Sequence, residues 1–109
     1  MITVRQTLPS SSIRISLREQ GKEIAHAFLY LIRNDHHKKP YGLLENVLVE
    51  EAFRGKGFGK KIVQEVIQEA KRQGCYKLVC TSWNSKLEVH KFYLDLGFKE
   101  HGKEFRREF

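Results

Sequence analysis

No run of apolar residues in this 109-residue sequence approaches the roughly 20 that a membrane-spanning helix needs. The opening Met1-Ile2-Thr3-Val4-Arg5 lacks the charged-then-apolar order of a secretory signal. These two absences predict a soluble, cytoplasmic protein that does not enter a membrane. Cysteine is scarce: only Cys75 and Cys80 are present, too few for a disulfide framework. If the chain between them is extended at about 3.3 Å per residue, their Cα atoms stand about 16 Å apart, beyond the roughly 7 Å a disulfide can span. Cys80 alternates with Leu78 and reads as a small buried hydrophobe. Internal repeats, low-complexity tracts and linkers are also missing, which predicts one domain over residues 1–109.

What is abundant is positive charge. Lys and Arg number 20 against 13 Asp and Glu, a formal net charge of +7. Such a balance suits nucleic acid, an acidic membrane surface or an anionic small molecule, a phosphate-rich cofactor included. Charge alone does not choose among them. An apolar content of 40% is enough for a core in a domain this small, although a partner subunit would help to bury exposed edges.

The apolar period divides the chain into elements. Ile2 to Thr7 can form a short strand that ends at Pro9-Ser10-Ser11-Ser12. Ile13, Ile15 and Leu17 alternate with Arg14, Ser16 and Arg18, the signature of a half-buried strand. After a turn at Gln20-Gly21-Lys22, Ile24 to Ile32 is almost wholly apolar and predicts a central strand. A polar loop, Asn34 to Pro40, leads to another apolar strand, Leu43 to Val49. Helical spacing then takes over at Ile62, Val63, Val66, Ile67 and Ala70, and Gly74 is a natural C-cap. Tyr76 to Ser82 returns to strand. Ser85 and Glu88 have capping-box spacing before a second helix faced by Val89, Phe92, Tyr93 and Leu96, which Gly97 closes. Phe98 to His101 and Glu104 to Glu108 read as a final hairpin. The unit from Leu43 to Ser82 predicts a right-handed crossover between two parallel strands, and everything before it can pair antiparallel. The expected fold class is mixed α/β, with helices on the faces of the sheet.

The segment Arg54-Gly55-Lys56-Gly57-Phe58-Gly59-Lys60 lies between a strand and a helix N-terminus. Alternating glycines let the backbone turn tightly and approach a ligand. The first helical amides have no intrahelical acceptor and sit at the positive end of the dipole, so the place suits phosphate oxygens. Arg54, Lys56, Lys60 and Lys61 add charge. A Walker loop would need glycine where Arg54 stands, and a dinucleotide fingerprint would need it at Lys60, so both fail on spacing.

The pattern Arg54-x-x-Gly57-x-Gly59, preceded by the strand Leu44-Glu45-Asn46-Val47-Leu48-Val49, resembles the pyrophosphate-binding motif of the GNAT superfamily of N-acetyltransferases. Val89-His90-Lys91-Phe92-Tyr93-Leu94-Asp95-Leu96-Gly97-Phe98 resembles the family's second segment, where a tyrosine precedes Gly-Phe by three residues. The resemblance covers Leu43 to Phe98. It implies acetyl-CoA as co-substrate and a parallel strand pair that splays to admit the pantetheine arm. Backbone groups of Val47, Leu48 and Val49 would pair with that arm, and a hydrogen bond from this strand would steady the oxyanion. The amides of Gly55, Lys56, Gly57, Phe58, Gly59 and Lys60 would take the pyrophosphate. Asn84 would touch the cofactor, although the commonest family spacing puts an asparagine where Lys86 stands. The reaction implied is acetyl transfer to a primary amine, of a small molecule or a protein, by direct attack in a ternary complex.

That reaction needs a neutral amine and a proton for the departing thiolate. Tyr93 matches the family's tyrosine acid, against the plainer reading of a core tyrosine on an amphipathic helix. Glu45, a carboxylate in an apolar strand on the parity of Val47 and Val49, is the candidate base if burial raises its pKa; a solvated edge charge is the alternative. His90 stands one turn before Tyr93 and reads mainly as a packed helix residue, and His36-His37 as a solvated loop rather than a metal site. The family usually carries two helices between its first strand and the position of Ile13. Here only Pro9-Ser10-Ser11-Ser12 intervenes, which predicts an acceptor site that is open or completed by a second subunit in a homodimer. Two other functions compete: an acetyl-CoA sensor without turnover, and a basic module binding nucleic acid through Phe28 and Tyr30, where their apolar neighbours favour core packing instead.

Overall fold

Alternation along three consecutive strands decides which side of the sheet becomes the core. In the computed structural model, which describes residues 1–109, the chain forms two compact units, Met1–Val79 and Cys80–Phe109. The first holds β1 (Ser11–Glu19), β2 (Lys22–Ile32), β3 (Tyr41–Val49), a single 3-10 turn (Glu51–Phe53), α1 (Phe58–Arg72) and β4 (Leu78–Val79). The sheet order is β1-β2-β3-β4. β1, β2 and β3 pair antiparallel, and β3 pairs parallel with β4. This is a mixed α+β arrangement, as the crossover pattern predicts.

The apolar side of β2, residues Ala25, Ala27, Leu29 and Leu31, is buried, as is Leu44 of β3. α1 packs on β2 and β3, and its buried residues are Ile62, Val63, Val66 and Ala70, the helical stripe read from the sequence. Burying each large aliphatic side chain stabilises by about 1.5–3 kcal/mol, so this layer holds the unit together. α1 ends as the sequence predicts. Gly74 has φ +78°, its N–H donates to Lys71 O (3.0 Å), and the Cys75 N–H donates to Ala70 O (3.0 Å), which together make a Schellman motif. Gly42 is a strand residue for a packing reason. A Cβ there would meet Leu29 Cδ1 and Leu78 Cδ1, both at 2.9 Å, so any larger residue would have to push those two side chains aside where β4 closes against β3.

Several expected elements do not form. Residues 2–7 make no strand, and Ile2 and Val4 are exposed. Residues 98–108 make no hairpin, and Phe105 is exposed. Ile2 and Val4 alternate with polar residues, but a strand also needs a neighbour to take its backbone bonds, and residues 98–108 have only Phe98 and Phe105 as apolar side chains. β4 is confined to Leu78–Val79 rather than Tyr76–Ser82, because it pairs only as Gly42↔Leu78 and Leu43↔Val79.

In the second unit, α2 spans Leu87–Asp95. Ser85 does not cap it: the N-cap is Lys86, without a side-chain cap bond. Backbone groups do the work instead. The Lys86 N–H donates to Trp83 O (3.1 Å), and Lys86 O accepts from Val89 (3.1 Å) and His90 (3.2 Å). In the tail, Arg106 pairs with Glu104 at 2.7 Å and lies over the Trp83 ring at 5.6 Å.

Candidate active site

β3 delivers the chain to the glycine loop, and two residues set its course. Gly55 and Gly57 have φ of +76° and +86°, a region that L side chains enter only at a cost of about 1–2 kcal/mol. Arg54 donates from Nε to Val49 O at 2.9 Å, which ties the loop back to the end of β3. Its guanidinium therefore positions the loop as well as charging it. The first intrahelical bond of α1 runs from the Lys61 N–H to Gly57 O at 3.1 Å. The amides of Phe58, Gly59 and Lys60 are left without an intrahelical acceptor. No acidic residue stands in the first turn, so nothing local opposes an anion at the positive end of the dipole. The Lys56 ammonium lies over the Phe53 ring at 5.6 Å, and Phe53 meets Phe58 edge-on at 6.2 Å. At Gly59 a Cβ would touch only Val49 Cγ2, at an ordinary 3.9 Å. The fold itself does not require glycine at that position.

β3 offers a second feature that the sequence analysis missed. Asn46 has φ +54°, and the register with β2 slips between Phe28↔Glu45 and His26↔Leu48. This is a β-bulge, which puts Asn46 and Val47 opposite a single residue and re-aims the rest of the strand. An asparagine inside an apolar strand was the available signal, since Asn tolerates the left-handed region best among ordinary residues. The bulge corrects the parity expected for Glu45. Leu44 is buried before it, and Val47 and Val49 are half-buried after it, while Glu45 is exposed. Glu45 therefore shares the other face, with Leu43, and the burial expected from its apolar strand is absent. On that face Ser12, Tyr30, Ile32, Leu43 and Glu45 line an open groove of about 550 Å³. Because β3–β4 pairing stops at Leu43, residues 45–49 have no ladder partner on the β4 side.

In the second unit the tyrosine-to-Gly-Phe spacing has a physical basis. Gly97 takes φ +93°. Its N–H donates to Leu94 O (3.0 Å), and the Phe98 N–H donates to Tyr93 O (3.1 Å). This second Schellman motif brings with it the apolar contact expected there: the rings of Tyr93 and Phe98 stand 5.4 Å apart, nearly perpendicular. Phe92 meets the Tyr93 ring at 5.2 Å, so the phenol is held from two sides. Burial, with the Cys80 thiol as a smaller cause, pushes the Tyr93 pKa up to about 12. Burial likewise pushes the Cys80 thiol up to about 11, so it stays protonated and poorly nucleophilic at neutral pH. His90 donates from Nε2 to Trp83 O at 2.8 Å, which ties α2 to the turn before it. Asn84 sits exposed in that turn. His37 of the first unit lies against the Tyr76 ring at 4.0 Å.

A strand, a glycine turn and a helix N-terminus without acidic charge follow one another in this α+β unit. The profile of the acetyltransferase (GNAT) family matches residues 5–98, and the chain belongs to that family. Glucosamine 6-phosphate N-acetyltransferase of Trypanosoma brucei brucei is 34% identical over 65 residues, 60% of this chain and 42% of that protein. Glucosamine 6-phosphate N-acetyltransferase 1 of Oryza sativa subsp. japonica is 37% identical over 59 residues, 54% of this chain and 34% of that one. The chain thus spans less than half the length of these relatives. The crystal structure of glucosamine-6-phosphate N-acetyltransferase from Arabidopsis thaliana superposes with a TM-score of 0.80 at 26% identity, over 90% of this chain and 67% of that one. No helix is long and apolar enough to cross a membrane.

Proposed function

We propose that this chain is an acetyl-CoA-dependent N-acetyltransferase that transfers the acetyl group to a primary amine by direct attack in a ternary complex. The observation that carries the reading is the loop after β3, where three amides at the start of α1 lack acceptors and Gly59 is a glycine the fold does not need. Residues Gly55 to Lys60 hold the pyrophosphate, and the unpaired edge of Val47, Leu48 and Val49 takes the pantetheine amides. Asn84 is a further cofactor contact, and 1–109 acts as one acetyltransferase domain. The bound thioester supplies the acetyl group. Glu45 accepts the proton that the amine loses as the C–N bond forms, directly or through water. Tyr93 donates a hydrogen bond to the sulfur as the C–S bond breaks. With a pKa near 12, the phenol is a far weaker acid than a thiol of about 8.5. Its part is therefore to stabilise the leaving thiolate, whose final proton comes from solvent. The unbridged thiols suit a reducing cytoplasm, and a second subunit could complete the open acceptor face.

Acetyl-CoA at 100 times its dissociation constant should stabilise the fold by about 2.7 kcal/mol, read as a rise in Tm, while NADH and ATP give none. No shift at millimolar acetyl-CoA rejects the cofactor. For the base, Glu45→Gln is expected to lower kcat at neutral pH by about 10²-fold or more. Normal turnover in that variant takes Glu45 out of the mechanism.

A further inference from the structure

The sheet face opposite α1 shows what kind of amine it can receive. Its groove has a volume of about 550 Å³, within the range of roughly 300–1,000 Å³ typical of small-molecule sites. Its apolar lining is Ile32, Leu43 and the ring of Tyr30, and Ser10, Ser11 and Ser12 line it beside them. Tyr30 lies nearly parallel to Phe28, with centroids 6.2 Å apart and 12° between the planes. Ser12 stands on the rim, and Glu45 is the charged side chain of the lining.

The cation on the same face is already engaged. Arg14, which pairs across from Phe28, gives both terminal nitrogens to the Glu23 carboxylate, at 2.6 and 2.8 Å. Glu23 also meets His26 Nδ1 at 3.3 Å. This network balances itself, and a ligand in the groove meets the charge of Glu45. An ammonium is attracted there and a phosphate is repelled. The side chains of Tyr30, Ile32 and Leu43 favour an apolar body laid against them. Glu45 directly precedes the bulge residue Asn46, so an amine held by its carboxylate stands next to the edge Val47–Val49.

We propose that the acceptor is a primary amine with an uncharged, apolar body, of the arylalkylamine type. Its body lies on Tyr30, Ile32 and Leu43, and its amino group sits at Glu45. The assignment rests on the acetyl-transfer reading for its role, but not for its binding. It also separates this chain from a preference for phosphorylated amino sugars, the substrate in the names of several relatives.

Amide NMR titrations test it, on the full chain alone and saturated with coenzyme A, using 2-phenylethylamine and glucosamine 6-phosphate as probes. The aryl amine is expected to shift the amides of Ser12, Tyr30, Leu43 and Glu45, and to bind at least about tenfold more tightly than the sugar phosphate, because the carboxylate attracts one and repels the other. Ser12→Arg, at an exposed rim position, should weaken the aryl amine and strengthen the sugar phosphate. Equal or tighter binding of glucosamine 6-phosphate to the native chain overturns the proposal. So does a failure of millimolar 2-phenylethylamine to shift these amides, or a Ser12→Arg variant whose affinities for both probes are unchanged. Groove binding without coenzyme A release from acetyl-CoA supports the binding preference while rejecting acetyl transfer and with it the acceptor role. Acetylation of other amines with the groove silent rejects this assignment alone.

Discussion

Gly59→Glu is expected to lower acetyl-CoA affinity by about 10²-fold or more while leaving Tm unchanged or slightly raised. The two halves of this expectation have separate causes. Gly59 is the second residue of α1, and a Cβ there meets only Val49 Cγ2 at 3.9 Å. Replacing glycine within a helix gains up to about 1 kcal/mol, and a carboxylate in the first turn favours the helix dipole. The fold therefore tolerates the change. The pyrophosphate does not, because two unit charges about 4 Å apart near a protein surface repel by about 4 kcal/mol, and about 1.4 kcal/mol is tenfold in affinity. Gly57→Glu is a poorer probe, since φ of +86° at that residue penalises any side chain and mixes misfolding with lost binding. Calorimetric titration with acetyl-CoA beside a melting scan reads both quantities. A stable variant that binds acetyl-CoA normally would place the cofactor elsewhere.

Tyr93→Phe is expected to reduce kcat by about 10²–10³-fold, the usual span for removing one hydrogen-bond donor aimed at charge that develops in the transition state. The ring contacts with Phe92 and Phe98, at 5.2 and 5.4 Å, survive the substitution, so Tm should move little. Acetyl-CoA affinity should also hold, because the donor matters when charge develops on sulfur rather than on binding. The raised pKa adds a second expectation. The phenol loses its proton only near pH 12, so Tyr93 contributes no alkaline limb to the native pH–rate profile below about pH 11. Ionisation occurs first in the unfolded chain, near its ordinary value of about 10. The stabilising contribution of the buried neutral phenol is thus complete below pH 10 and declines as pH rises from there toward 12. Normal turnover in the phenylalanine variant would leave Tyr93 as a packing residue.

Local pattern was enough for features whose cause is local. The α1 stripe of Ile62, Val63, Val66 and Ala70, its glycine stop at Gly74 and the antiparallel run through β3 come from periodicity and backbone freedom at single residues. The same holds for the glycine loop, where the missing Cβ atoms and the free helical amides are properties of the segment itself. Family membership was legible for the same reason, because its two motifs are local spacings, and one of them is the Schellman stop that sets Tyr93 against Phe98.

Features that need a partner from elsewhere in the chain were decided only by tertiary structure. Residues 2–7 alternate like a strand and remain unpaired, since alternation describes a face and does not supply a neighbour, and the turn expected at Gly102-Lys103 brings no hairpin with it. β4 shrank to two residues for want of pairing beyond Leu43. Gly42 revealed its role only once the fold put Leu29 and Leu78 where a Cβ on it would come within 2.9 Å of each. The side of the sheet on which Glu45 lies was also beyond the pattern. Parity assumes an unbroken pleat, and the single residue Asn46 at φ +54° shifts the register against β2 and turns the carboxylate from the helix-covered face to the open one.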